Sequence, residues 1–315
     1  MKVLITTASF TDNEGVHKKR LDELQWELVI NKGPLTESEL IPLIKDIDGI
    51  ICGDDEYTAK VLDLAKRSGV KGISKYGVGL DKIDLEHAKR IDMPIRNVLG
   101  VNQKTVAEHT IALIISFVKN IHKHYFHTSQ GVWKRTTGTE LNNKVLGILG
   151  LGRIGSEVAK IAQAFGMKVI AFDPFIDPKS SNETLSVDCL ESVEELFEKS
   201  DIVSLHIPLT NDTKHLLNER LFSSHTKPGI IIVNTSRGEL VDKTSLVQVL
   251  RSGKVRGYLT DVLDKEPMGE DEELYKLPNV LITPHVGSRT VENVEKQGLM
   301  AVNNLEEIFK LHNNG

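Results

Sequence analysis

The stretch KVLGILGLGRIG, residues 144–155, decides the fold. Lys144 to Leu149 is a short apolar run of strand type, and Gly150, Gly152 and Gly155 follow at the spacing G-x-G-x-x-G. Three such glycines alone recur by chance, so the setting gives them meaning. They sit between that strand and the helical pattern SEVAKIAQAF, residues 156–165, where backbone N–H groups and a helix N-terminus converge. Such a point attracts a pyrophosphate. The next strand, KVIAF, runs into Asp173, 21 residues beyond Gly152. A carboxylate there accepts hydrogen bonds from the adenosine ribose hydroxyls and repels a 2′-phosphate. The pattern predicts NAD rather than NADP, with Arg153 as a nearby cation able to touch phosphate.

Downstream the rhythm continues as DIVSLHIP, GIIIVNT, VRGYLTDV and NVLITP, with helical patterns such as SVEELFEKS and KTSLVQVLRSG between them, giving six strands from Lys144 onward. Upstream lies a second α/β series. KVLIT, ELVIN, DGIIC, VKGIS and PIRN read as strands; VHKKRLDELQ, TAKVLDLAKRSG (ended by Gly69) and DLEHAKRI read as helices. Thr36 with Glu39 three residues on forms a capping box opening another helix. TVAEHTIALIISFVKNIH reads as one long helix, followed by the polar stretch KHYFHTSQGVWKRTTGTELNN, so the boundary between the two series falls near residue 99. After Ser288 the tail places Val291, Val294, Ala301, Leu305 and Ile308 on one helical face that needs a partner surface.

At 315 residues the chain exceeds one ordinary core, which predicts two domains. Thirty-nine Lys and Arg against 44 Asp and Glu leave a net charge of −5 with mixed signs, which excludes the basic face a nucleic acid requires. The N-terminus has no extended apolar segment, and IALIISFV is too short to cross a bilayer, so a cytoplasmic protein with no membrane partner is expected. Cys52 and Cys189 have no metal spacing, which fits a reducing compartment.

Three polar residues lie at or just past the carboxyl ends of later strands, where open α/β sheets bind ligands: Arg237 in NTSRGELVD, Glu266 in DVLDKEP and His285 in TPHVG. An arginine fork holds a carboxylate in two parallel hydrogen bonds, a histidine passes a proton near neutral pH, and a carboxylate beside it favours the imidazolium. Together they fit a hydride transfer in which Arg237 clamps a 2-keto acid and His285, supported by Glu266, protonates it.

In these motifs the chain resembles the D-isomer-specific 2-hydroxyacid dehydrogenase family, close to its phosphoglycerate dehydrogenase branch. The resemblance covers nearly the whole length: KYGVGLDKIDLEHAKR, VAEHTIALII, LGILGLGRIG, VIAFDP, DIVSLHIPLTNDTKHLLNERLF, GIIIVNTSRGELVD, DVLDKEP and LPNVLITPHVGSRT occur in the family's order. It implies two Rossmann/flavodoxin-like doubly wound parallel-sheet α/β domains with a cleft between them. Residues 1–99 plus 288–315 would form the substrate domain, with the last helix packed on it, and residues 100–287 the NAD-binding Rossmann domain. It implies a catalytic triad on Arg237, Glu266 and His285. Among the NAD contacts it places Gly150, Gly152, Arg153, Ile154, Gly155, Asp173, His206, Thr235, Asp261 and Gly287, with Asp261 facing the nicotinamide carboxamide. It also implies a homodimer built around the segment after residue 100.

In Lys75–Tyr76–Gly77–Val78–Gly79 the two glycines leave backbone N–H groups near Val78 open to an anion, and family members bind the substrate carboxylate there. The chain departs from phosphoglycerate-specific relatives after the third strand. Where they place arginines it has Asp54, Asp55 and Glu56, a poor setting for a phosphate. His122, His124 and His127 have spacings that fit no common zinc pattern, so no metal is expected. A second function class is a dinucleotide-sensing binding protein, since corepressors of this family keep the triad while working through partner recognition.

Overall fold

The computed structural model describes residues 1–176 and 185–313. Within it the chain separates into two compact units, Met1–Asn102 with Arg289–Gly315, and Gln103–Ser288.

In the first unit β1 (Lys2–Ile5) leads through α1 (Ala8–Asp12) and α2 (Val16–Leu24) to β2 (Glu27–Ile30). Then come α3 (Glu37–Leu40), β3 (Gly49–Cys52), α4 (Ala59–Arg67), β4 (Ile73–Lys75), α5 (Leu85–Arg90) and β5 (Ile95–Asn97). All the strands pair in parallel, in the order β2-β1-β3-β4-β5. This is the flavodoxin-like doubly wound order, which reverses direction beside β1. Side chains explain where the helices begin. Thr36 and Glu39 form the expected capping box at α3, Thr58 Oγ accepts from the Val61 amide at α4, and Asp84 from the His87 amide at α5.

The second unit opens with α6 (Gln103–Val118) and α7 (Ile121–Ser129), then β6 (Val145–Leu149), α8 (Arg153–Ala164) and β7 (Lys168–Phe172). It continues with β8 (Asp188–Cys189), α9 (Val193–Lys199), β9 (Ile202–Leu205), α10 (Glu219–Ser224), β10 (Ile230–Asn234), α11 (Lys243–Arg251), β11 (Val255–Thr260) and β12 (Val280–Ile282). Its parallel sheet runs β8-β7-β6-β9-β10-β11-β12. Counted from its own first strand this is 3-2-1-4-5-6-7, the Rossmann order with one strand added, and it reverses between β6 and β9. The central strands β9 and β10 are buried along their whole length, as a sheet covered on both faces requires.

The chain returns to the first unit as α12 (Val291–Asn313), which packs on α2, β3, β4 and β5. Val294, Ala301, Leu305 and Ile308 are buried, the last three among Val3, Ile5 and Phe10, so the tail's apolar stripe has found its surface. Val291, expected on that stripe, is instead 64% exposed, because it is the first helical residue and precedes the packed turns.

Three further features differ from the sequence reading. The long helix predicted to Ile121–His122 is broken at Asn120, which takes a left-handed φ of 57° and donates its side-chain amide to Thr137 O. A second helix, α7, then extends to Ser129 through part of what read as a polar linker. The short α1 and the two-residue edge strand β8 are also added, both too brief to show a period. On α7, His122 Nδ1 lies 3.0 Å from Ser116 O and its ring stacks on Phe117, while His124 Nε2 accepts from the Thr136 amide. Among the described residues no cluster of His, Cys, Asp and Glu is arranged to hold a metal, and no helix is long and apolar enough to cross a membrane.

The acidic loop after β3 folds unlike a solvated cluster, because its three carboxylates take different partners. Asp54 pairs with Lys75 at 2.7 Å, and Glu56 accepts from the Glu37 amide at the start of α3. Asp55 is fully buried, and its carboxylate accepts from the Thr6 hydroxyl, from Leu35 N at 2.9 Å and from Gly53 N at 3.1 Å. Burial pushes the Asp55 carboxyl up, against the opposing pull of Thr6, Leu35, Lys75 and Gly53. The raised value means that its charge costs folding free energy above the native pKa, a cost relieved as the pH falls from there toward the unfolded value. The group nevertheless satisfies buried donors, and they set the cost of removing it. Asp55→Ala, which leaves the Thr6 hydroxyl and the Leu35 amide without an acceptor while Gly53 N keeps Thr6 Oγ at 3.3 Å, is expected to lower unfolding free energy by about 3 kcal/mol in urea titrations at neutral pH. A loss under about 0.5 kcal/mol, the scatter of ordinary surface changes, would show that the staple is idle.

Candidate active site

At the turn from β6 into α8 the three glycines have separate causes. Gly150 has φ +94°, and a Cβ on it would stand 2.8 Å from both His206 O and Ile207 Cγ2. A Cβ on Gly155 would overlap the Gly150 carbonyl oxygen, so this glycine lets the helix lie against the strand. Both are required by the protein's own packing. Gly152 is not: its φ is −73°, and a Cβ there meets no protein atom within 4 Å. The bare Cα leaves room for a group lying against the loop from outside, the position a dinucleotide's pyrophosphate takes at a helix N-terminus.

Asp173 stands beside this loop, with Oδ2 accepting from Leu151 N at 2.9 Å and Oδ1 from Phe175 N at 3.0 Å. One amide per oxygen fixes the carboxylate and leaves acceptor capacity on each. Arg153 is exposed in the first turn of α8, and Ile154 packs against the core beneath. His206 follows β9, its Nε2 2.9 Å from Ser204 Oγ and its Nδ1 buried without a protein partner. Burial pushes its pKa down to about 3, so the ring is neutral at any ordinary pH. Thr235 Oγ lies 3.0 Å from Thr110 Oγ on α6.

The three candidate catalytic residues lie past the carboxyl ends of the last three strands. Asn234, Thr260 and Ile282 are in register across β10, β11 and β12. Just beyond that row the chain delivers Arg237, Glu266 and His285. Asn234 shapes the first loop: its amide donates to Arg237 O at 2.8 Å and its carbonyl accepts from Ser236 N at 3.0 Å. Arg237 is half-buried, with Nη1 on Ser236 O at 2.7 Å. Gly238 packs so tightly on the Leu263–Asp264 peptide that a side chain would overlap it, which joins the Arg237 loop to the loop carrying Glu266. Lys243 braces that second loop by bridging Asp264 at 2.9 Å and the buried Glu272 at 3.1 Å. Glu266 accepts from Leu263 N at 2.8 Å on Oε1, and its Oε2 lies 2.6 Å from His285 Nδ1. The pair is about one-third exposed.

His285 has φ +52°, a left-handed conformation that costs a residue with a Cβ about 1 kcal/mol. Its amide is held by Asp261 O at 2.9 Å and Thr283 O at 3.0 Å. Asp261, whose resemblance-based role was to face a carboxamide, is 3% exposed. Its carboxylate accepts from Thr283 Oγ, Val286 N and Gly287 N. A Cβ on Gly287 would come to 2.9 Å from Asp261 Oδ2, so this glycine permits the close approach. Burial pushes the Asp261 carboxyl up, but hydrogen bonds from His109, Thr283 and the Val286 and Gly287 amides outweigh it and hold the group below the usual range. Neither Thr283 nor His109 stands out in the sequence; their signals are a Thr two residues before His285 and a histidine within an otherwise apolar helix.

On the first unit, Lys75 ends β4 almost fully buried, its ammonium donating to Gly53 O and Asp54 Oδ1, each at 2.7 Å. Tyr76 is buried, with its hydroxyl unpartnered in the protein and its pKa raised by burial. Gly77 has φ +128° and its carbonyl accepts from Val98 N; Val78 is exposed and its carbonyl accepts from the Asn97 amide. Gly79 follows in irregular chain before α5.

Fold and glycine loop together define an NAD-binding Rossmann domain. Residues 111–287 match the family model for the D-isomer specific 2-hydroxyacid dehydrogenase NAD binding domain. The chain is 36% identical over 279 residues to a D-3-phosphoglycerate dehydrogenase of Methanocaldococcus jannaschii, covering 88% of this chain and 52% of that one, so it spans about half that relative's length. It is 36% identical over 289 residues to a hydroxypyruvate reductase of Thermotoga maritima, covering 90% and 91%. Among solved structures it is similar to apo D-lactate dehydrogenase of Escherichia coli, with a TM-score of 0.85 and 29% identity over 98% and 97% of the two chains. The chain belongs to the D-isomer specific 2-hydroxyacid dehydrogenase family.

The separate causes of the glycines predict separate effects. Gly152→Ala is expected to leave the urea midpoint unchanged while weakening NADH binding at least about tenfold, a cost of about 1.4 kcal/mol. Gly155→Ala is expected to destabilise the fold by about 2 kcal/mol through overpacking. Unaltered NADH affinity in Gly152→Ala, read by fluorescence titration, would contradict the assignment of that loop to the pyrophosphate.

Proposed function

We propose that the chain interconverts a D-2-hydroxy acid and its 2-keto acid, with NAD as the hydride carrier. The observation that carries this reading is the 2.6 Å contact between His285 Nδ1 and Glu266. With Nδ1 donating to a carboxylate, Nε2 is the nitrogen that gives a proton to the carbonyl oxygen during reduction and takes it back during oxidation. Glu266 fixes that tautomer and stabilises the imidazolium. Arg237, on the adjoining loop of the same sheet edge, holds the substrate carboxylate and polarises the reacting carbonyl. The backbone around Gly77, Val78 and Gly79, with Lys75 and Tyr76, supplies further substrate contacts.

When bound, NAD supplies or accepts the hydride at its nicotinamide ring. Gly152 admits its pyrophosphate in a loop whose shape Gly150 and Gly155 permit, Arg153 and Ile154 border it, and Asp173 takes the ribose hydroxyls. His206, Thr235, Asp261 and Gly287 complete the contacts proposed for the cofactor. Asp54 neutralises Lys75 rather than leaving a free cation at the end of β4, which disfavours a phosphorylated acid and favours an unphosphorylated one.

Loss of NADH absorbance across a panel of hydroxypyruvate, glyoxylate, pyruvate, branched 2-keto acids and phosphohydroxypyruvate tests this. Wild type is expected to turn over at least one unphosphorylated acid, with Arg237→Ala reducing kcat/KM by about 10³, or about 4 kcal/mol. Equal rates in the two proteins would refute the reading.

Glu266→Gln removes the anion that favours the imidazolium, so reduction, which needs His285 protonated, is expected to fail at lower pH than in wild type. An unchanged pH–rate profile would remove Glu266 from this role.

The same reading places a homodimer on the segment after residue 100. It is supported by the exposure of Ile121, Tyr125, Phe126, Val132 and Trp133, a concentration of large apolar side chains on α7 and just beyond it. Light scattering is expected to give twice the 35.0 kDa chain mass. Phe126→Ser/Trp133→Ser is expected to shift it toward one; a monomeric wild type at micromolar concentration would contradict the dimer.

A further inference from the structure

Behind the His285 turn lies a polar network in which Asp261 has been given a role but His109 and Thr283 have not. His109, on α6, has Nε2 2.9 Å from Thr283 Oγ and 3.4 Å from Asp261 Oδ1. Thr283 Oγ in turn lies 2.6 Å from Asp261 Oδ1. Proton counting gives these contacts a direction. Thr283 has a single hydroxyl proton, and the acceptor-only carboxylate takes it, so the hydroxyl can only accept from His109. His109 Nε2 therefore carries a proton, which points at Thr283 and leans toward Asp261.

The far end of the network is the turn itself. Asp261 binds the amides of three consecutive residues: its backbone carbonyl takes His285 N at 2.9 Å, Oδ1 takes Val286 N at 2.9 Å and Oδ2 takes Gly287 N at 2.7 Å. This grip holds His285 at its left-handed φ. Thr283 belongs to the same turn, so His109 fixes the rotamer of the hydroxyl at its start while Asp261 fixes the backbone at its end.

We propose that His109 is a positioning residue for the reaction: through Thr283 and Asp261 it sets the conformation of residues 283–287, and with it the point to which the His285 imidazole is delivered. This rests on the reading of His285 as the proton carrier. His109 acts on His285 through the turn, so its loss reduces the chemical step by more than it weakens cofactor binding, to which Asp261 and Gly287 of the same network contribute.

The test compares His109→Leu, His109→Gln and Thr283→Val with wild type and His285→Gln in the full chain. Each is measured for kcat, for KM of the best 2-keto acid, for NADH affinity by fluorescence and for folding by circular dichroism. His109→Leu is expected to lower kcat at least about tenfold while weakening NADH binding by no more than about threefold. Thr283→Val is expected to do the same, and the double variant to be no worse than either single one, because the two residues act in one chain. His109→Gln, whose side-chain amide carries an N–H to nearly the same place, is expected to recover most of the loss. A kcat within twofold of wild type in His109→Leu overturns the proposal, as does a His109→Gln no better than His109→Leu. If His285→Gln keeps the wild-type rate, the proton-carrier reading itself falls. If His285→Gln is inactive and His109→Leu is not, only the positioning role falls.

Discussion

The turn that carries His285 depends on one buried carboxylate. Asp261, at the end of β11, is removed from water and would be pushed toward its neutral form if burial acted alone. The hydrogen bonds it accepts reverse that balance, and the charge they retain stabilises the turn that made them. A chain with a left-handed histidine in this turn holds its shape only because donors from several residues converge on one acidic group. The strain at His285 is small beside what the surrounding hydrogen bonds supply, which is the usual condition for a strained residue at a functional site.

Parallel sheet geometry does the rest. Strands β10, β11 and β12 run side by side in register, so whatever follows each of them emerges along one edge. Arg237, Glu266 and His285 lie far apart in sequence and arrive at that edge because three loops begin there. The bracing is local to each loop: Asn234 for Arg237, Lys243 with Asp264 and Glu272 for the loop of Glu266, Asp261 for His285. The same sheet places the glycine turn after β6, beyond β9, at the point where strand order reverses.

What was legible in the residues followed from repetition and from backbone need. The glycine spacing, the acid after the next strand and the polar residues past three later strands each express a constraint on a short window, and the contact between Glu266 and His285 follows from them. The acidic loop was not legible in this way. Counting charges at Asp54, Asp55 and Glu56 gives no direction, and the burial of Asp55 depends on Thr6 and Leu35, which are remote in sequence. The break at Asn120 was hidden because the apolar pattern continues across it, and a single left-handed residue leaves no periodic trace. His109 and Thr283 escaped for a related reason: their importance lies in a proton's direction, which only coordinates reveal.

The central claim is that this site passes a proton through His285 while a hydride adds to one face of a 2-keto acid. The most direct measurement is the configuration of the product formed from NADH and the 2-keto acid that is reduced fastest, resolved by chiral chromatography for wild type and His285→Gln. The account predicts the D-2-hydroxy acid alone from wild type and none above the uncatalysed background from the variant. The L enantiomer, a racemic product, or an equal yield from His285→Gln would contradict it.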